Sequence, residues 1–169
     1  MVILKKIVIL FFYYLGLNIS ATFWLFEVDI SDAILTFFTN SILFLFFSIP
    51  LFFKNLKSRY MLFIIFWVFG EIILSKWDLA WPWLNFGNVL GNQWYLIQWY
   101  SFCGIYGGSL WLLLISFIIF KLGKNIKSYR YIFFFISLIM LPIFSLFNYY
   151  SYKEKQYIIS FEKFTCFIL

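Results

Sequence analysis

Trp77-Asp78-Leu79-Ala80-Trp81-Pro82-Trp83-Leu84-Asn85-Phe86-Gly87-Asn88 is a polar, turn-rich passage set between long apolar runs. Three of the eight Trp of the chain fall within its first seven residues, and Trp94, Trp99 and Trp111 follow. Pro82 has no backbone N–H to donate and biases Trp81 towards extended backbone, so Trp81-Pro82-Trp83 does not fit inside a regular helix. Tryptophan joins an apolar ring system to one N–H and favours the layer where hydrocarbon meets water. Residues 75–102 are therefore expected to form a folded interfacial loop on one membrane face, held there by the helices before and after it.

The composition supports that setting. Of 169 residues, 64% are hydrophobic and only 12% are charged, about half the charged share of an ordinary soluble domain. The predicted fold class is an all-α polytopic membrane protein. Five apolar runs, at residues 7–26, 33–53, 60–74, 104–120 and 131–147, are read as transmembrane helices. They make up a membrane domain over residues 1–150, followed by a tail at 151–169. Lys5-Lys6 before the first run has the look of a signal peptide, but the run is long for one and no small-residue cleavage pattern follows it. Ser31 or Asp32 is expected to cap the second helix. Pro50 falls near the end of that helix and Pro142 inside the fifth. The third run is short for a span, with Tyr60 and Lys76 placed to anchor its two ends.

The charges give an orientation. With the N-terminus inside, the inner segments hold Lys5, Lys6, Lys54, Lys57, Arg59, Lys121, Lys124, Lys127 and Arg130, nine of the thirteen basic residues. All seven acidic residues fall on the outer side or at the outer end of a helix. The positive-inside rule thus predicts a cytoplasmic N-terminus, an exterior C-terminus and an exterior Trp-rich loop. The net charge of +6 flanks helices and does not form a nucleic-acid patch. The chain has no His, and its two Cys, Cys103 and Cys166, form no Cys-x-x-Cys unit. No metal site, cofactor or disulfide framework is expected.

Glu71 lies just inside the outer end of the third run. A carboxylate at membrane depth is costly, by about 2.5–3.5 kcal/mol near mid-helix and less towards the edge. It either orients the Trp-rich loop or contacts a polar substrate, or else it is an interfacial Glu that snorkels to water or pairs with Lys76. Trp81, Pro82, Trp83 and Leu84 are candidates for a lipid-facing surface, against the plainer reading of an aromatic belt. Gly87 and Gly91 read as turn glycines, whereas Gly104 and Gly108 stand in the spacing that permits close helix contact. Glu154, Lys155, Glu162, Lys163 and Cys166 could in principle combine a nucleophile with a base. They are crowded into thirteen residues with no framework to orient them, and coincidence is the better account.

The passage 77–88, continued by Gln98-Trp99-Tyr100 and Gly104-Ile105-Tyr106-Gly107-Gly108-Ser109-Leu110-Trp111, resembles the signature region of bacterial apolipoprotein N-acyltransferases. Thr22-Phe23-Trp24-Leu25 is similar to a Thr-Trp-Trp passage of that family, and Glu71 matches a family glutamate that precedes the Pro-Trp-Leu element. The resemblance implies an inner-membrane protein. Such enzymes move an acyl chain from a phospholipid to the α-amino group of the N-terminal diacylglyceryl-cysteine of a lipoprotein. It also implies that the chemistry belongs to a Glu, a Lys and a Cys in an exterior nitrilase-like domain. No position here is matched to that triad, and Cys166 is not given the role. Glu71, Trp81, Pro82, Trp83, Leu84, Gly87 and Gln98 are the implied lipid-facing or substrate-facing residues.

Tyr149-Tyr150-Ser151-Tyr152-Lys153-Glu154-Lys155 resembles the lead-in to that domain, whereas residues 156–169 do not resemble its first strand. The expectation is a truncated or split protein, inactive alone, whose partners are phospholipid, lipoprotein and a separately encoded nitrilase-like domain. The competing expectation is a non-enzymatic membrane protein such as a transporter subunit or assembly factor. A transporter would show broken helices and internal symmetry, and no internal repeat is visible.

Overall fold

A computed structural model describes residues 2–53, 56, 58–76, 84–124 and 129–165, with side chains up to Lys153. Among these the chain is helical and has no strand. The helices are α1 (Val2–Thr22), α2 (Ile30–Phe47), α3 (Arg59–Leu74), α4 (Tyr100–Lys124) and α5 (Tyr129–Thr165). The stretches Ile3–Glu27, Ile30–Phe47, Tyr100–Lys124 and Tyr129–Lys153 are each long and apolar enough to cross a membrane. The all-α polytopic membrane class follows from them. At 16 residues, α3 rises only about 24 Å, short of a hydrocarbon core of about 30 Å. The chain divides into two compact units, Met1–Leu84 and Asn85–Leu169.

In the first unit α1 and α2 pack as an antiparallel hairpin. A 3-10 turn over Phe23–Glu27 joins them. The cap of α2 is Asp29, two or three residues ahead of the expected positions, because its carboxylate reaches two free N–H groups of the first turn. Oδ1 accepts from the Ser31 N–H at 2.8 Å and the Asp32 N–H at 3.0 Å. The Ser31 hydroxyl adds a third bond. These bonds, led by that of the Ser31 side chain, hold the Asp29 carboxyl below its ordinary pKa. At the other end α2 stops at Phe47, six residues before the expected boundary. Pro50 opens a separate 3-10 turn, Ile49–Phe52, where its missing N–H leaves no gap.

Trp67 of α3 is the centre of this unit, 1% exposed. Its ring lies 5.0 Å from that of Phe44, 5.5 Å from Phe63, 5.8 Å from Tyr14 and 6.0 Å from Phe47, so one side chain ties α3 to both helices of the hairpin. Gly70 lies against the Phe47 ring, and a methyl group there would overlap it. Leu25, Ala33 and Phe37 form a second cluster at the hairpin turn.

The hairpin also buries polar side chains, which hydrocarbon cannot solvate. Each hydroxyl first donates to the carbonyl four residues back in its own helix: Thr22 to Asn18, Ser41 to Phe37, and Ser48 to Phe44. With its proton committed there, the oxygen accepts from the neighbouring helix. Ser48 Oγ takes the Tyr14 hydroxyl at 2.5 Å, and Ser41 Oγ takes the Asn18 amide at 3.3 Å.

In the second unit α4 packs on α5. Gly104 breaks α4 after its first turn, with φ at +65°, a region that a residue with a Cβ enters only under strain. α5 contains Pro142, which cannot donate to the carbonyl of Leu138, four residues back. The Trp111 indole fills that vacancy from α4, donating to the Leu138 oxygen at 2.9 Å. The tail expected from residue 151 is instead a continuation of α5, which remains helical to Thr165. Large apolar side chains including Phe133, Phe134, Met140, Phe144 and Phe147 stand exposed along α5, as suits contact with lipid tails.

Candidate functional site

Trp81, Pro82 and Trp83 lie outside the described residues. Of the quoted passage the structure describes residues 84–88, in which Asn85 and Gly87 are buried. Residues Phe86–Leu90 and Trp94–Leu96 form two 3-10 turns laid against the helices of the second unit. Gly87 is the contact point with α4. Its N–H donates to Ser109 Oγ at 2.8 Å, and its carbonyl accepts from the Tyr100 hydroxyl at 3.0 Å. The Ile105 backbone carbonyl stands where a Cβ on Gly87 would go. Close approach therefore explains this glycine, beyond the turn role expected from sequence. The expected helix contact at Gly104 and Gly108 is not what the structure shows: Gly104 faces open space, and Gly108 faces the Tyr100 ring of its own helix.

The second anchor is Trp99, 7% exposed. Its backbone N–H donates to Ser145 Oγ on α5 at 3.2 Å, and its ring lies 4.6 Å from Tyr100 and 5.9 Å from Trp111. The turn residues 85–99 are thus pinned to α4 at Gly87 and to α5 at Trp99. The Trp94 ring meets Tyr149 edge-on at 4.6 Å.

Beside that contact a half-open cleft of about 510 Å³ is lined by Trp94, Gln98, Asn148, Tyr149, Tyr152 and Lys153. Gln98 directs its amide nitrogen to the Trp94 carbonyl at 2.9 Å, which fixes the side chain at the rim. Two amides, two phenols, an indole and one ammonium make a surface suited to a polar or anionic group with an apolar neighbour. Sequence reasoning found Gln98 but missed Asn148, Tyr149, Tyr152 and Lys153. Their spacing places them on one helical face, a signal that appears only once α5 is extended past residue 147.

Glu71 and Leu84 belong to the first unit. Leu84 is half-buried. Glu71 is 3% exposed and accepts from the Trp67 indole, one turn earlier in α3, at 3.1 Å. It does not snorkel to water, because its Cβ direction places it on the packed face that Trp67 also occupies. Lys76, two residues beyond α3, is exposed. Cys103 is a free, exposed thiol whose polar neighbours are the backbone carbonyls of Trp99 and Gly104. Cys166 lies outside the described residues, as do the side chains of Glu154, Lys155, Glu162 and Lys163. Among the described residues no group of three or more His, Cys, Asp or Glu is placed to share a metal ion.

No curated protein and no solved structure matches the chain significantly. A family model does: the apolipoprotein N-acyltransferase N-terminal domain matches residues 3–118. That match runs from the first turn of α1 through most of α4 and takes in Trp67, Glu71, the whole of 77–88, and the Gly87 and Trp99 anchors. With more than half of its length matched, the chain belongs to the family of apolipoprotein N-acyltransferase N-terminal domains.

Proposed function

We propose that this chain is the membrane portion of an apolipoprotein N-acyltransferase-like protein. It presents phospholipid and the diacylglyceryl-cysteine of a lipoprotein to a nitrilase-like domain that carries the acyl-transfer chemistry. The observation that carries this reading is the family match across residues 3–118. The two-point anchoring of residues 85–99 supports it, because a surface that positions lipids must hold its own backbone first. The cleft between Trp94, Gln98, Asn148 and Lys153 is the headgroup-facing part of that surface. Gly87 supports that surface through its contacts with α4; Glu71, Trp81, Pro82, Trp83 and Leu84 are kept as separate lipid-facing or substrate-facing candidates. Cys103, whose thiol is directed to the backbone carbonyls of Trp99 and Gly104, is not given the nucleophile's role.

The proposed setting is the bacterial inner membrane, with the N-terminus cytoplasmic and the cleft exterior. A topology reporter fused after Tyr152 is active only on the exterior side under this orientation; activity on the cytoplasmic side refutes it. The functional test is mass spectrometry of a lipoprotein N-terminal peptide, in cells depleted of their own N-acyltransferase. The third acyl chain is absent when this chain is expressed alone and appears when a nitrilase-like domain is co-expressed. N-acylation by this chain alone would place the chemistry within these helices. Failure in both arms would favour a non-enzymatic membrane protein.

A further inference from the structure

At the end of the first unit where the N-terminus lies, α1, the Ile49–Phe52 turn and α3 enclose an open cleft of about 340 Å³. This is within the size range of ligand clefts, about 300–1,000 Å³. Its lining combines two chemistries: Ile9 and Leu10 of α1 with Leu51 and Phe52 of the turn are apolar, and Lys6, Arg59 and Tyr60 are polar, two of them cationic. The guanidinium is held in place: Arg59 donates to the Tyr60 hydroxyl at 3.1 Å and lies over the Tyr60 ring at 4.9 Å. Among the described residues this hydrogen bond uses one of the five donors of the fork, and a guanidinium can offer two others to a bidentate acceptor such as a phosphodiester.

Among the described residues of the first unit, the charges lining this cleft are both positive. The acidic side chains described in the first unit are Glu27, Asp29, Asp32 and Glu71. The first three lie at the α1–α2 turn, about 30 Å along α1 from Lys6, and Glu71 lies about 18 Å along α3 from Arg59. Two cations and four apolar side chains in one lining, at the end of a membrane helix, match a phosphodiester that carries an acyl chain. Lone basic residues at a helix end attract anionic membrane in general. A concave site that fixes one guanidinium and supplies a hydrocarbon wall selects a single lipid molecule.

We propose that the cleft between Lys6, Arg59 and the Leu51-Phe52 turn binds one anionic phospholipid by its phosphate, at the membrane face where the N-terminus lies. The site is in the other unit from the Gln98 cleft, and it stands whether or not the acyltransferase reading does. Its occupant is a structural lipid, which braces the start of α3 against α1 where the short helix falls inside the membrane edge.

The test is native mass spectrometry of the full chain released from neutral detergent, titrated with phosphatidylglycerol and with phosphatidylcholine of the same acyl chains. One phosphatidylglycerol is retained in preference to phosphatidylcholine. Lys6→Gln or Arg59→Gln weakens that retention about fivefold, and the pair together about thirtyfold. Lys121→Gln with Lys124→Gln, the same charge change at the end of α4, leaves it within twofold. Lys6 is exposed, so its single variant carries the test even if Arg59→Gln disturbs folding. Equal retention of the two lipids, or no loss in Lys6→Gln, overturns the proposal. Displacement of the lipid by millimolar inorganic phosphate, with no dependence on acyl-chain length, overturns it in favour of a soluble-anion site.

Discussion

Replacing Trp111 with Phe removes one hydrogen bond and leaves most of the ring. In the folded chain the Trp111 indole donates to the Leu138 carbonyl, whose helical partner would have been the N–H that Pro142 lacks. An unsatisfied buried carbonyl costs about 1–3 kcal/mol. Interhelical hydrogen bonds in membranes average nearer 0.6 kcal/mol, because separated helices find other partners. Here the alternatives are fewer. Pro142 withholds its donor in the separated helix as well, and both residues sit near the middle of their spans, far from headgroup water. The expected cost of Trp111→Phe is therefore about 1.5 kcal/mol, part of it lost ring area. A double-mutant cycle separates the two parts. In a Pro142→Ala background residue 142 donates to Leu138, and Trp111→Phe then loses only area, so the cycle yields a coupling of about 1 kcal/mol. Steric trapping in bicelles, with tags near Tyr100 of α4 and Lys153 of α5, measures each variant. Equal costs in the two backgrounds, within about 0.3 kcal/mol, would refute the account of Trp111 as the donor that completes α5.

Two further outcomes follow from named contacts. Gly87→Ala drives a methyl group into the Ile105 carbonyl and costs about 1–3 kcal/mol by overpacking; lipid association and protease resistance of residues 85–99 fall together, and an unchanged proteolysis pattern counts against the clamp. For Asp29, whose folded pKa lies below its unfolded value, the cap is fully present above the ordinary carboxylate range and is lost as pH falls through the lowered value; the Ser31 amide resonance in micelles titrates with a midpoint below 3.8, and a midpoint at or above it removes the cap from the account.

Fold class was legible because it depends on bulk properties. Low charge and five apolar runs leave few ways to solvate a backbone other than membrane helices. Element ends were less legible, because they depend on which of several competent groups reaches an N–H. Ser31, Asp32 and Asp29 are all good caps, and only geometry chose Asp29. Pro50 showed that something ends near residue 50, but not that a separate turn begins there. At the site, sequence marked Gly87 and Gln98 through resemblance but assigned Gly87 to a turn, since contact with the Ile105 carbonyl joins residues eighteen positions apart. Glu71 was read from hydropathy and from the resemblance; hydropathy places a carboxylate by depth and cannot tell which face of the helix carries it. The Trp67 ring, one turn away, supplies both that answer and its hydrogen bond.

The habit of the buried hydroxyls, donating first within their own helix, bears on how such a chain is made. A helix leaving the translocon meets lipid before it meets its neighbours. Thr22, Ser41 and Ser48 carry their proton acceptors with them, on the carbonyls of Asn18, Phe37 and Phe44, and Glu71 carries a donor in Trp67. These Ser and Thr hydroxyls can therefore enter lipid with their protons already bound, in the order of synthesis. Lateral assembly then uses what insertion left available, the oxygen lone pairs that Tyr14 and Asn18 find on Ser48 and Ser41. Biogenesis becomes two separable events, and a substitution such as Ser41→Ala impairs the second while sparing the first.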